Sequence, residues 1–514
     1  MKSKNSLLNF LTSYLIYFVL VLFGIYKVRL FLFQLGPELY ALNQLYGNLF
    51  SYLAIAEGGI GLALIYRLYP KLAEKRYDEI NELYSGTKII FRNIGFLIIA
   101  VGFGLTFLIP YILKDNTISP FYITVTFMLF VLRSTLDYFS VMPRLIIQAD
   151  QKMYRINLMI FGSRFFIILT EILIIRAGYD YVYSLLPGII FTLVANWLIN
   201  HHVFKLYPWL HKVDKKDFST YSDTKHLLMH KGLTLVTKNI DVVLLSFFLG
   251  SYSVTIYSAY NYFVKFALDS FEHIFNAIKD AMGIIIQEDN SDEVYERVQE
   301  YFSIFDFIAL IAITIFALNI NKFIGLWIGK AYLADQLTLI LFLILVYTST
   351  LRQSYELTKT AMGRFKETKK IATIQAILNV VLSLTFVRFF GIKGVLMGTI
   401  LSFLLTDFWY YPYYIYVVVS KRKLSDYYAS QILNSVVFVL VFLLTDIILD
   451  LLYTNQQNLK LIPWMGYGLL SLFFALAIAI PFSMFASNAF DRVIRKTTRA
   501  LRSLLRHLRK RLFK

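Results

Sequence analysis

The sequence predicts an all-α polytopic membrane protein of about fourteen transmembrane helices, and three observations predict it. Hydrophobic residues make up 58% of the 514 and charged residues only 16%, where a soluble domain carries about 45–50% and about 25%. The apolar residues fall in runs of roughly 20, the length that crosses a bilayer as a helix, separated by short polar connections. Strand-type alternation is absent from these runs, which argues against a β-barrel. The formal net charge is +18. Its cations lie between the runs and in the tail, so they suit lipid head groups rather than nucleic acid. The chain has no cysteine, which excludes disulfides and thiolate chemistry.

Taken in order, the spans fall near residues 7–27, 39–66, 87–113, 119–143, 156–177 and 181–204. A second set falls near 226–249, 252–284, 299–320, 334–360, 370–390 and 394–419, and two more near 427–451 and 461–487. Lys2 and Lys4 precede the first run, and no small-residue cleavage site follows it, so it reads as a retained span. Alternate connections are rich in Lys and Arg: Arg67 to Arg76, Arg144 to Arg155, Lys205 to Lys216, Arg364 to Lys370, and Lys421 to Lys423. The positive-inside rule therefore puts these loops, and both termini, on the cytoplasmic side of the membrane. The connection from Glu288 to Glu300 is acidic, and acids weigh little in that rule.

A weak internal repeat divides the chain. Leu35-Gly36 with Tyr46 matches Leu249-Gly250 with Tyr260. Leu132 to Asp137 matches Leu351 to Glu356, and Arg176 with Trp197 matches Arg388 with Trp409, all at offsets of about 212–219 residues. Both halves start inside, so the repeats are parallel, an architecture that places a substrate site between halves. The expected domains are six-span bundles over 1–220 and 221–425, two further spans over 426–488, and a tail over 489–514. In the tail Leu501, Leu504, Leu505, Leu508 and Leu512 share one helical face and the arginines lie elsewhere, as in a helix resting on an anionic leaflet.

Charge inside a span costs several kcal/mol, so such residues face a partner or a hydrated cavity. The fourth span carries Arg133 and Asp137, and the tenth Arg352 and Glu356. Spacing i, i+4 allows each pair to neutralise itself, and a structural ion pair or a cavity lining are both open. The eighth span carries Lys265, Asp269 and Glu272 on one face, the seventh Lys238 and Asp241, and the fifth Arg164 and Glu171 seven apart. Together they imply a hydrated cavity holding cations. In Glu57-Gly58-Gly59-Ile60-Gly61 the glycines permit close packing or local unwinding. The 37 tyrosines are read either as a membrane-interface belt or as sugar-binding faces. Pro187 and Pro412 lie within spans, as kinks or static bends.

Catalytic signatures fail. His226 and His230 have zinc-like spacing without the glutamate of a metalloprotease, no nucleotide-binding glycine loop occurs, and no outside loop is long enough to fold into a catalytic domain. No cofactor is expected. The segments Leu35 to Leu42, Ala56 to Gly61, Tyr69 to Lys75, Gln148 to Lys152, Asp241 to Tyr260 and Gly391 to Ile400 resemble the polysaccharide repeat-unit flippases of the multidrug/oligosaccharidyl-lipid/polysaccharide exporter superfamily. The resemblance implies two six-helix bundles in a V shape with two added helices, and a cavity-facing basic residue near the end of the first span, for which Lys27 and Arg29 are candidates. It also implies a transporter that moves a polyprenyl-diphosphate-linked oligosaccharide from the inner to the outer leaflet, alongside glycan-assembly partners.

Polar head groups cannot cross hydrocarbon unsatisfied, so cations should hold the diphosphate. The candidates are Arg133, Arg164, Lys238, Lys265 and Arg352. Asp137, Asp269, Glu272 and Glu356 are candidates for proton or sodium coupling. A small-molecule antiporter of the same superfamily and a membrane-embedded glycan polymerase or ligase are the alternatives.

Overall fold

A computed structural model describes residues 2–57, 59–114, 117–219, 239–285, 291–361, 365–419, 422–453 and 460–499. Among the described residues the secondary structure is helical throughout, with no strand. Among the described residues eleven helices are long and apolar enough to cross a membrane. The first candidate, Tyr17–Glu57, is 41 residues long, about 60 Å at 1.5 Å per residue and so twice the bilayer core. Within it helix α1 (Lys2–Leu53) breaks at Gly36, with φ 85 and ψ 167, and Pro37 follows. Only glycine takes that backbone without strain, and proline starts the next arm without a lost hydrogen bond. Counting these arms separately makes twelve, and two further helices lie where the seventh and eighth spans are expected. The seventh is described from 239 onward as α9 (Asn239–Phe248), and the eighth is α10 (Ser251–Ile285).

The chain falls into two compact units, Met1–Ser258 with Val387–Gly391, and Ala259–Phe386 with Ile392–Lys514. The first contains α1, α2 (Ile60–Ala73), α3 (Tyr77–Thr106), the single turn α4 (Ile109–Ile112), α5 (Pro120–Thr135), α6 (Val141–Ala149), α7 (Tyr154–Arg176) and α8 (Tyr181–Leu206). Between α1 and α2 the helix tightens to a 3-10 turn over Ala54–Glu57, and Gly59 is left-handed at φ 83. The glycine-rich stretch is thus locally unwound. The loop after α8 is laid against α3: the Asn81 amide donates to the Trp209 carbonyl at 2.9 Å, and the Val213 N–H donates to Ser85 Oγ at 3.0 Å. A side chain at Gly86 would strike the Asp217 backbone, so glycine there is what lets the loop close.

The second unit contains most of α10, then α11 (Ser291–Trp327), α12 (Gln336–Ala361), α13 (Phe365–Phe390), α14 (Ile392–Leu405), α15 (Asp407–Pro412), α16 (Leu424–Leu452) and α17 (Leu461–Ala486). The twelfth span is not one helix. Thr406 leaves helical geometry at φ −127, ψ −83, and past Pro412 the backbone widens into a π-helix over Tyr413–Val419. Pro187, by contrast, lies inside the unbroken α8. On α16 and α17 large apolar side chains point outward, Leu451 at 78%, Ile462 at 81% and Phe485 at 91% exposure, while Ser471, Ala475 and Ala479 are buried. Apolar outside and small residues inside is the arrangement a lipid solvent favours.

The tyrosines occupy a third role beside the two expected. Tyr46, Tyr84, Tyr181, Tyr260, Tyr355, Tyr411, Tyr427 and Tyr467 are among the largest fully buried side chains. Their hydroxyls reach across helices: Tyr46 shares a hydrogen bond with Thr126 at 2.7 Å and Tyr181 donates to Asn43 at 2.8 Å. In hydrocarbon a ring fills volume and its hydroxyl ties two helices, so many tyrosines act as core.

Past residue 487 the chain turns helical again over 488–499. Glu300, on α11, accepts from Lys496 at 2.6 Å and from Arg492 at 3.5 Å, with Arg297 at 3.4 Å. An acid of the acidic connection is therefore a docking point for the start of the basic tail. Residues 501–514, with the predicted leucine face, lie outside the described residues.

Candidate functional site

In the first unit, charged side chains from α1, α5, α6 and α7 meet within the spans. Glu171 on α7 is 3% exposed. One of its oxygens accepts from Lys27 Nζ at 2.5 Å and the other from Arg133 Nη1 at 2.7 Å. A buried carboxylate needs such partners, and here one acid neutralises one of two cations. Arg133 lies across Gly188 of α8, where any Cβ would collide with its Cδ and Nε. Lys27, the candidate drawn from the family resemblance, thus stands in this cluster, while Arg29 lies over the Phe33 ring at 5.4 Å.

Arg133 and Asp137 do not pair with each other as their spacing allowed. The helix ends at Thr135 and continues as a 3-10 turn over Leu136–Ser140, which rotates Asp137 off the face of Arg133. Asp137 instead accepts from Arg144 Nη2 at 3.0 Å, and the same guanidinium donates to Asn196 Oδ1. The Asn196 amide donates at 3.3 Å to the Leu136 carbonyl, which the change of helix type has freed. Arg144 and Asn196 join this cluster although their spacing does not mark them: the 3-10 turn interrupts the apolar periodicity that would place Arg144 within a span, so it reads as a loop cation.

Arg164, two turns before Glu171 on α7, is exposed. Among the described residues it forms no ion pair; it lies over the Phe161 ring at 5.9 Å, with Asp137 and Arg144 in electrostatic range. Lys27, Arg133, Arg144 and Arg164 face Glu171 and Asp137, with Glu57 acting on Tyr138 beside them. Among the described residues of this cluster four cations meet three acids, and the Arg164 guanidinium fork is open to an oxyanion.

In the second unit Arg352 on α12 contacts Asp407 Oδ2 at 3.3 Å and donates to Gln375 at 2.9 Å. Asp407 is 2% exposed and opens α15 at the break after Thr406. Glu356 accepts from Tyr411 at 3.3 Å. Lys265, Asp269 and Glu272 share an exposed face of α10, as their spacing predicted. Lys238, His226 and His230 lie outside the described residues. Among the described residues no group of three or more His, Cys, Asp or Glu side chains is arranged to hold a metal ion.

No protein-family model and no curated protein matches the sequence. Solved structures do match, at low identity. The lipid II flippase MurJ in an inward closed conformation superposes with a TM-score of 0.67 at 15% identity, over 92% of this chain and 98% of that one. An inward-facing multidrug resistance MATE family transporter of the MOP superfamily gives 0.61 at 11% identity, over 76% and 93%. The MATE multidrug transporter DinF-BH gives 0.58 at 16% identity, over 82% and 98%. The chain is therefore a multi-pass membrane protein with the fold of these transporters. Within that class, the likeness to MurJ spans the larger share of the chain.

Proposed function

We propose that this protein is a flippase that moves a polyprenyl-diphosphate-linked oligosaccharide repeat unit from the inner to the outer leaflet for cell-surface polysaccharide assembly, by alternating access. The observation that carries this reading is the cationic cluster of the first unit, with Arg164 exposed and without an ion pair among the described residues. A diphosphate is the part of such a substrate with the largest desolvation cost, and guanidinium forks meet its oxygens bidentately. The fold shared with a lipid II flippase supports the substrate class. Arg133 and Lys27, each sharing Glu171, can turn toward an incoming anion, because one carboxylate cannot satisfy both fully. Asp269, Glu272 and Glu356 in the second unit are proposed for coupling to protons or sodium, and Lys265 and Arg352 for contacts to the polar head.

Mass spectrometry of polyprenyl-linked glycans in cells depleted of the protein tests this. Build-up of a complete, unpolymerised repeat unit on its lipid carrier is expected, and an unchanged pool in cells without a redundant flippase refutes the reading. The exposed acids Asp269 and Glu272, with the fold shared with multidrug transporters, favour a second reading as a small-molecule antiporter. That reading predicts efflux with no glycan phenotype.

A further inference from the structure

The second unit holds a cavity of about 500 Å³ between α11, α12, α16 and α17 that the proposed translocation does not use. Its walls are apolar and aromatic, including Phe307, Ile344, Phe438, Phe442 and Phe490, and one carboxylate, Asp306, enters it. Two amides hold that carboxylate by the same oxygen: Asn434 Nδ2 donates to Oδ2 at 2.7 Å and Gln431 Nε2 at 3.2 Å. Gln431 is itself oriented by Tyr347, whose hydroxyl donates to its Oε1 at 2.8 Å. Both partners donate, so the network is built for an acceptor. Oδ1 receives no hydrogen bond from the described residues, and no Lys or Arg among them forms an ion pair with Asp306. A carboxylate in a span with one oxygen unsatisfied calls for a cation.

We propose that this cavity binds a lipophilic organic ammonium ion, its N–H donating to Asp306 Oδ1 and its apolar body lying among the aromatic walls. The volume suits a drug-sized molecule, and aromatic faces favour a cation beside them. A bare metal ion fits poorly: it needs six or so oxygen ligands close around it, while the groups nearest Oδ2 are amide nitrogens and Asp306 is the one carboxylate in a lining otherwise of apolar, hydroxyl and amide side chains. The proposal rests neither on the flippase reading nor on the antiporter reading, since it concerns binding alone and a set of helices apart from Glu171, Arg164 and their partners.

The test uses the full-length protein purified in detergent and two fluorescent probes: dansylcadaverine, a primary ammonium, and its N-acetyl derivative, which is neutral and slightly larger. The wild type is expected to bind the ammonium roughly tenfold or more tighter than the neutral probe, the worth of one charge-assisted hydrogen bond. Asp306→Asn keeps the shape and should erase that preference. Ile344→Trp, at an exposed wall position, should weaken both probes. Equal binding of the two probes by wild type, or an unchanged preference in Asp306→Asn, overturns the proposal. If Asp306→Asn does not fold, the wild-type ratio and Ile344→Trp decide it, and unaltered ammonium binding in Ile344→Trp overturns it. The glycan pool of depleted cells does not enter these outcomes, so failure here and failure of the flippase reading are separate results.

Discussion

Arg133 and Arg352 occupy matching places in the internal repeat, yet the two units treat them differently. In the first unit Arg133 shares its acid, Glu171, with a second cation, Lys27, and Arg164 stands nearby without an ion pair among the described residues. In the second unit Arg352 has the buried Asp407 and the Gln375 amide, and Glu356, one turn on, accepts from Tyr411. The backbone explains part of the difference. The fourth span breaks into a 3-10 turn after Arg133, which sends Asp137 to Arg144. The twelfth span breaks at Thr406, which delivers Asp407 to Arg352. Equivalent arginines therefore end with different partners: one shares its acid with a second cation, the other meets an acid and an amide.

The comparison breaks first at Arg164. Arg164→Ala should reduce translocation by about tenfold or more, with folding intact, because no ion pair of the described residues depends on it; accumulation of the lipid-linked glycan reads this out. Arg164→Lys should recover part of the loss, since the charge stays and the fork does not. Next comes Glu171→Gln, which leaves Lys27 and Arg133 in a span without their acid. It should cost about 3 kcal/mol of stability, measured by thermal unfolding in detergent. Gly188→Ala should cost about 1–2 kcal/mol by pushing Arg133 away from Glu171, and should reduce translocation as well. Asp407→Asn should be milder, about 1 kcal/mol by the same thermal measurement, because Gln375 still holds Arg352. A cost from Asp407→Asn larger than that from Glu171→Gln would reverse the ranking of the two units.

Much of the fold was legible because hydrocarbon imposes a simple length and composition on each span. The break at Gly36-Pro37, the unwinding around Glu57 to Gly61 and the shared face of Lys265, Asp269 and Glu272 all follow from local residue chemistry. The pairing of charges was not legible. Helical spacing gave Arg133 to Asp137, while the true partner of Arg133 is 38 residues away and that of Lys27 is 144 away. Such pairs form only once α1, α5 and α7 pack, and no local pattern encodes that packing. Arg144 was missed for a related reason, since a tightened turn shifts the register by which a span is recognised. The buried tyrosines are not marked in the sequence, because a phenol in the core needs a distant hydroxyl partner, such as Thr126 for Tyr46, that local pattern does not reveal.

The central claim is that the cationic cluster of the first unit holds the diphosphate of a lipid-linked glycan. Native mass spectrometry of the protein purified from cells whose flippase-dependent pool has been allowed to build up tests it most directly. A polyprenyl-diphosphate glycan bound to the wild type and lost from Arg164→Ala is the predicted result. Equal retention by both proteins, or no such lipid on the wild type at any loading, would contradict it.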